Sequence, residues 1–473
     1  MQVQQLVEQA LAASTTDGCV VVAAEHTETN LRFANNRLTT NGQMTSRSIT
    51  VISTVDGPNG ASAGVVTRSV TTAEELSELV RASDAAARIA PPADDAAPLV
   101  GPNSAPGTDA GGGDWQAGGG DWQEAPRATK VEVFESFAPE LGAAFQRAAK
   151  ADRLLFGFAE HQLTSTFLGS STGLRRRFDQ PAGRLELNAK SADLDRSAWA
   201  GVQARDFTDV DVASLTDGLH TRLDWAATRI DLPAGRYETI LPPGAIADLM
   251  IYAYWTASAR DAEEGRNVFA GSAGGTRIGQ RLASLPLTLR SDPAAPGLEC
   301  APFEIVTASE AGLQSVFDNG APVAATEWLK EGTLNDLVRT RAWAARTGAE
   351  PRPLVGNLIL DGGGSASLDD MIAATERGLL LTCLWYIREV DPQTLLLTGL
   401  TRDGVYLIEN GQVRGAVNNF RFNESPIGLL DRITDVGRTE QTLPREWNDY
   451  FTRTAMPPVR IADFNMSTVS QAS

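Results

Sequence analysis

TGLTRDGVYLIENGQVRGAVNNFRFNESP, residues 398–426, decides how the second half of this chain is read. Val405–Ile408 and Val413–Val417 are β-prone runs, and Glu409-Asn410-Gly411-Gln412 lies between them. A type I′ turn needs positive φ at both central residues, and Asn-Gly meets that need at little steric cost. The stretch therefore predicts a hairpin. Outward from it, the chain after Pro233 reads as mostly β, with many short strands and glycine turns. Tyr237–Leu241 is an expected strand, and Pro242-Pro243 opens an expected helix from about Ala245 to Ala259. One more helix is expected to start at Ser367, with Asp370 three residues on, and to end near Gly378. Its acid is Asp rather than the Glu or Gln of a full capping box.

The first ninety residues read differently. Residues 3–13 carry apolar side chains at helical spacing. Four short β-like runs follow, Cys19–Ala24, Leu31–Ala34, Ser48–Ser53 and Ala63–Ser69, with turn chemistry at Asn41-Gly42 and Asp56-Gly57. Thr71 or Thr72 caps a helix through about Ile89, with Glu74 and Glu75 in its first turn, and Pro91-Pro92 stops it. Residues 91–126 are rich in Pro, Gly, Ala and Asp, and GGGDWQ at 111–116 recurs at 118–123. That composition predicts a flexible linker, a tethered surface loop whose tryptophans have the means to dock on a neighbour. A helix near Phe137–Ala151, strands at Gly157–Ser165, Arg184–Ser191 and Ala198–Arg205, and a helix near Val212–Thr228 make up the middle region. Arg175-Arg176-Arg177 between two of these strands reads as a solvated hairpin tip. The fold class is α+β: an N-terminal α/β region followed by a mostly β C-terminal domain with a central helix. The expected divisions are 1–90, the linker 91–126, a middle α/β domain 127–232, and the C-terminal domain 233–464.

At 473 residues with a formal net charge of −18, the chain repels polyanions, which argues against nucleic-acid binding through its overall field. No run of apolar residues is long enough to span a membrane, and the N-terminus reads as an amphipathic helix rather than a signal peptide. Cys19, Cys300 and Cys383 are few, odd in number and far apart, so they read as buried free thiols in a reducing cytoplasm. His26, His161 and His220 are the only histidines, and none lies in HExxH or HExxxH. A hydrolytic zinc site needs several N, S or O ligands and an open water position, commonly with two histidines at helical spacing. No GxSxG elbow is present, and nothing marks a cysteine as a nucleophile. The Gly-rich stretches 271–279 and 361–370 lack the Gly-Lys-Ser/Thr of a P-loop and the GxGxxG of a dinucleotide site, so they read as turns and caps. The residues alone name no catalytic group and no metal ligand, and leave the substrate-binding residues unknown.

Taken in order, four segments resemble the TldD/TldE (PmbA) metallopeptidase family. LRFANNRLTTNGQ (31–43) is similar to the family's early strand pair, and ETILPPGAIADLM (238–250) to the Pro-rich start of its central helix. Residues 398–426 resemble its Ile-Glu-Asn-Gly hairpin and following Asn-rich strand, and LLDRITDVG (429–437) fits the next segment. The matches run from about residue 18 to 464. The resemblance implies a heterodimer of homologous subunits around a peptidase chamber that clips unstructured peptides, including leader segments of ribosomally made peptide natural products. It implies zinc in the TldD-type subunit, held by HExxxH on the central helix and by a cysteine near the C-terminus. Here the corresponding helix, AIADLMIYAYWTASARD (245–261), has no His and no Glu, and TLPREWNDYFTRTAMPPVRI (442–461) has no Cys. The resemblance thus points to the TldE/PmbA side: a non-catalytic subunit with no cofactor of its own, beside a zinc-bearing TldD-like partner. Two other readings stay open, a peptide-binding scaffold without a peptidase partner and a self-sufficient peptidase with an unusual site. The family also carries the label of a DNA gyrase modulator, to which the acidic charge lends no support.

Overall fold

The computed structural model describes residues 2–103 and 121–470. Its N-terminal part is one antiparallel sheet of six strands: β1 (Gly18–Ala34), β2 (Arg37–Val55), β3 (Ser62–Arg68), β4 (Arg153–Ser170), β5 (Arg175–Ser191) and β6 (Ser197–Ala204), in the order β3-β2-β1-β4-β5-β6. The regions expected as separate units at 1–90 and 127–232 therefore share a sheet, joined where β1 pairs with β4. Of the four short runs expected in the first unit, Cys19–Ala24 and Leu31–Ala34 merge into β1, Ser48–Ser53 is the end of a longer β2 that stays paired with β1 through Asn41 and Gly42, and Ala63–Ser69 stands as β3. The turn lies instead at Asn35-Asn36, with φ of 51° and 60°. Asparagine tolerates that left-handed conformation, and a tight hairpin needs two such residues in succession.

Four helices cover one face of the sheet. Helices α1 (Val3–Ala13) and α2 (Ala73–Ile89) pack on Val21, Ala23, Val51 and Phe167, while α3 (Phe137–Lys150) and α4 (Val212–Trp225) pack on Leu31, Leu155 and Leu187. Of the two candidate caps, Thr72 is the one that starts α2, and Glu75, expected only as a first-turn acid, closes a reciprocal capping box with it. The other face carries Val20, Val22, Leu168 and Phe178, which meet Phe303, Val316 and Phe317 of the C-terminal half. Strands point side chains alternately to the two faces, so one sheet serves both layers.

Two expectations fail at the edges of this sheet. Arg175–Arg177 is the start of β5 rather than a hairpin tip. Arg177 is buried, pairs with the buried Asp179 at 3.1 Å, and lies 5.0 Å over the Phe167 ring. The flanks of the expected linker are anchored. Val100 is buried, and Trp122 meets Phe167 edge-on at 5.6 Å. The two terminal nitrogens of Arg177 donate to the carbonyls of Asp121, Glu124 and Ala125, which ties the segment to the sheet. The first GGGDWQ copy, at 111–116, lies outside the described residues.

The C-terminal half holds a ten-stranded and a six-stranded sheet. The first is built around Gly235–Leu241 and Val459–Val469, and it contains the hairpin Val405–Glu409/Gln412–Val417. Its turn has φ of 52° at Asn410 and 74° at Gly411, as the Asn-Gly pair dictates. The expected helix at Ser367 is Leu368–Ala373; it stops before Gly378, which pairs in the strand Arg377–Leu381. Although its acid is Asp rather than Glu or Gln, the capping box is complete: the Asp370 carboxylate accepts the Ser367 N–H at 2.9 Å. The central helix, α5, is Pro243–Trp255, shorter than the expected 245–259, and a short helix follows at Ala259–Glu263. Ile246, Leu249, Met250, Ile251 and Tyr254 on α5 are all buried in the largest apolar cluster. At roughly 1.5–3 kcal/mol for each large side chain, this burial outweighs the cost of ordering the helix.

Candidate functional site

The α5 helix and the segment after Leu443 are where the family resemblance places a zinc centre in the metal-bearing type of subunit. The α5 helix is apolar on nearly every side, and its one acid, Asp248, is wholly buried. The Asp248 carboxylate accepts the Glu446 N–H at 2.9 Å and the Arg445 N–H at 3.2 Å, and its backbone carbonyl accepts the Trp447 indole N–H at 2.9 Å. Removal from water drives its pKa well above the usual carboxylate range, against the lowering pull of the two N–H groups. Aromatic rings fill the rest of the contact. Trp447 lies 5.7 Å from Tyr252 and 5.2 Å from Trp255, and Phe451 lies 6.3 Å from Tyr254. These residues do not fit a zinc ion. Zinc takes imidazole, thiolate or free carboxylate ligands, whereas the one carboxylate on α5 is held by backbone donors. Among the described residues no group of three or more His, Cys, Asp and Glu is placed to hold a metal.

The three histidines do not meet. His26 on β1 sits opposite Thr164, and His161 on β4 sits opposite Thr29. Positions 26 and 29 are an odd number apart on β1, so the two rings point to opposite faces. His161 is buried and fully engaged: Nε2 donates to the Arg205 carbonyl at 2.7 Å, and Nδ1 accepts from the Thr129 hydroxyl at 2.6 Å. Burial lowers its pKa, so the ring is neutral. His220 lies on α4, where burial and then the Arg153 charge lower its pKa too. All three cysteines are free and buried, as their spacing suggests. Burial pushes Cys300 up to about 11 and Cys19 and Cys383 up to about 12, so none is a thiolate at neutral pH. In the Gly-rich stretch 271–279, Gly274 and Gly275 take positive φ in a turn.

Around this seam the two halves are joined by charge. Arg445 is sandwiched 5.1 Å from the Trp199 ring and 4.5 Å from the Trp385 ring, with Glu186 at 3.4 Å. Arg184 on β5 reaches Asn448 at 2.6 Å and also pairs with Asp449 and Glu160. Beyond the seam, β6 ends at Ala204, and among the described residues no strand pairs with β5 residues 175–182 on that side. A cavity of about 230 Å³ opens there, between the β5 edge and the stretch Thr452–Arg453. No motif marked it, because its walls come from six separate parts of the chain. For Asp248 a signal did exist: a lone acid inside an apolar helix.

Comparison with known proteins follows this geometry. Residues 234–468 match the model of the PmbA/TldA metallopeptidase C-terminal domain. No curated protein matches the chain. Among solved structures, TldE from Thermococcus kodakarensis superposes with a TM-score of 0.77 at 17% identity, covering 98% of this chain and 99% of that one. A candidate modulator of a DNA gyrase from Thermotoga maritima gives 0.72 at 16%, covering 98% and 99%. Another from Bacteroides thetaiotaomicron gives 0.74 at 15%, covering 99% and 98%. Residues 234–468 therefore carry the C-terminal domain of the PmbA/TldA metallopeptidase family, and the chain as a whole shares the fold of TldE.

Proposed function

We propose that this chain is the metal-free, TldE-type subunit of a two-subunit peptidase and acts beside a zinc-bearing TldD-like homologue on unstructured peptides such as leader segments of ribosomal peptide natural products. The observation that carries this reading is Asp248. At the helix where a metal-bearing subunit presents its ligands, this chain has one acid, and that acid caps the 445–447 backbone. The likeness to TldE supports the same assignment. The chain's part in the reaction is then a wall of the chamber and a surface for its partner. The cytoplasm is the proposed compartment, in keeping with three free thiols.

The test is coexpression with an HExxxH-bearing homologue, purification on a tag carried by this chain, and measurement of zinc and peptide cleavage. A one-to-one complex that holds zinc and cuts only when both chains are present is the expected result. Stoichiometric zinc and cleavage with the lone chain would overturn the reading in favour of a self-sufficient peptidase. A chain that purifies alone and metal-free would overturn it in favour of a scaffold.

A further inference from the structure

We propose that the cavity between the open edge of β5 and Thr452–Arg453 is a binding site for a carboxylate carried by a peptide, with Arg453 as the group that pairs with it. The argument is one of charge. Of the arginines lining the cavity, Arg127 pairs with Asp179 at 3.4 Å and Arg205 with Glu299 at 3.6 Å. Asp179 is further held by Arg177 and Ser165. Arg453 is left over among the cations, and Asp206 among the lining acids has no ion pair within the described residues, its carboxylate accepting from the Thr208 N–H and hydroxyl. Among the described residues the Arg453 guanidinium makes one hydrogen bond, from Nε to the Gly356 carbonyl at 2.9 Å, and no ion pair. The adjacent Cys300 thiol stays protonated and does not neutralise it. Burial lowers the Arg453 pKa, the mark of a cation withdrawn from water without compensation.

An uncompensated charge in such a place is costly, and a bound anion removes the cost. A guanidinium fork matches a carboxylate in a bidentate geometry, which selects this anion among the groups a peptide carries. Gln203 supplies a second feature. Its Nε2 donates to the Gly297 carbonyl at 3.0 Å, while its Oε1 is buried without a donor. A peptide N–H next to the carboxylate is the complement of that acceptor. Leu163, Phe178 and Pro181 add apolar wall. At about 30 Å³ per water, the volume holds roughly seven waters, enough for a carboxylate and a small side chain. A chain terminus and an Asp or Glu side chain share this chemistry. That the ligand is a peptide rests on the proposed function, whereas its negative charge follows from the unpaired Arg453 guanidinium.

The experiment uses the purified full chain and fluorescence anisotropy with three labelled unstructured peptides. One has a free C-terminus and no Asp or Glu, the second is its C-terminal amide, and the third is that amide with one internal Glu. The free acid is expected to bind at least about tenfold more tightly than the plain amide if the terminus is the ligand, and the Glu-containing amide to do so if a side chain is. Arg453→Gln is expected to remove this preference, and Arg453→Lys to keep part of it. Ala182→Glu leaves Arg453 in place and puts a carboxylate in the cavity. It is expected to remove binding as well, and it decides the matter should Arg453→Gln not fold. No binding, equal binding of all three peptides, or wild-type binding by either folded variant would overturn the proposal. Zinc and cleavage in the copurified complex report on the partner role separately. Carboxylate binding without a zinc-bearing partner would leave the site and remove that role; cleavage without carboxylate preference would do the reverse.

Discussion

Asp248 shows at the scale of one residue how a buried acid serves as a cap for backbone. Its carboxylate holds two backbone N–H groups that would otherwise be orphaned in the core. The folded-state pKa lies above that of the unfolded chain, so the folded protein binds this proton more tightly. The contribution to stability is therefore complete below about pH 4 and fades as pH rises through the folded value. Asp248→Asn keeps the shape and one acceptor while removing the titration. Relative to wild type it should gain stability as pH rises above about 4, measured by urea unfolding. Asp248→Leu should lose roughly 1–3 kcal/mol, because it strands both donors. An equal pH dependence in wild type and Asp248→Asn would show that the carboxyl is not buried as described.

Among the elements, β5 carries the most consequence. Its first residues look like a charged tip in the sequence, yet they form a strand whose inner arginine anchors the 121–125 segment. Removing one member of a buried ion pair leaves the other charge uncompensated, at a cost of roughly 3–5 kcal/mol. Arg177→Ala should be destabilised by about that much in urea unfolding, and adding Asp179→Ala should cost less than the sum of the two single changes. Simple additivity of the two would mean that the pair is solvated. The same variant should expose Trp122, whose fluorescence would shift to the red as its contact with Phe167 loosens.

For the whole molecule, the decisive contact is the seam between the N-terminal sheet and the C-terminal half. Arg445 bridges it, with Trp199 and Glu186 from one side and Trp385 from the other. Desolvated cation–π contacts are worth about 2 kcal/mol. Arg445→Ala should weaken the coupling of the halves, so that a single unfolding transition in calorimetry broadens or splits. A transition as sharp as that of wild type would place the coupling in the apolar contact of Phe178 with Phe303 and Phe317 instead.

By itself the sequence determined what is local. The Asn410-Gly411 hairpin, the Thr72–Glu75 cap, the bounds of α3 and the apolar character of α5 follow from φ preference, side-chain reach and periodicity. These act within a few residues and leave a readable pattern. The family was legible too, because its motifs keep their order along the chain. Only the tertiary structure decided what depends on pairing across long separations. The merging of the first and middle regions into one sheet rests on β1 meeting β4, more than a hundred residues apart in sequence. Asn-Gly at 41–42 reads as a turn from its two residues alone, but the ladder opposite runs through it. Arg453 looks like an ordinary charge until the fold withdraws it from a partner, because pairing is a property of neighbours that local sequence does not specify.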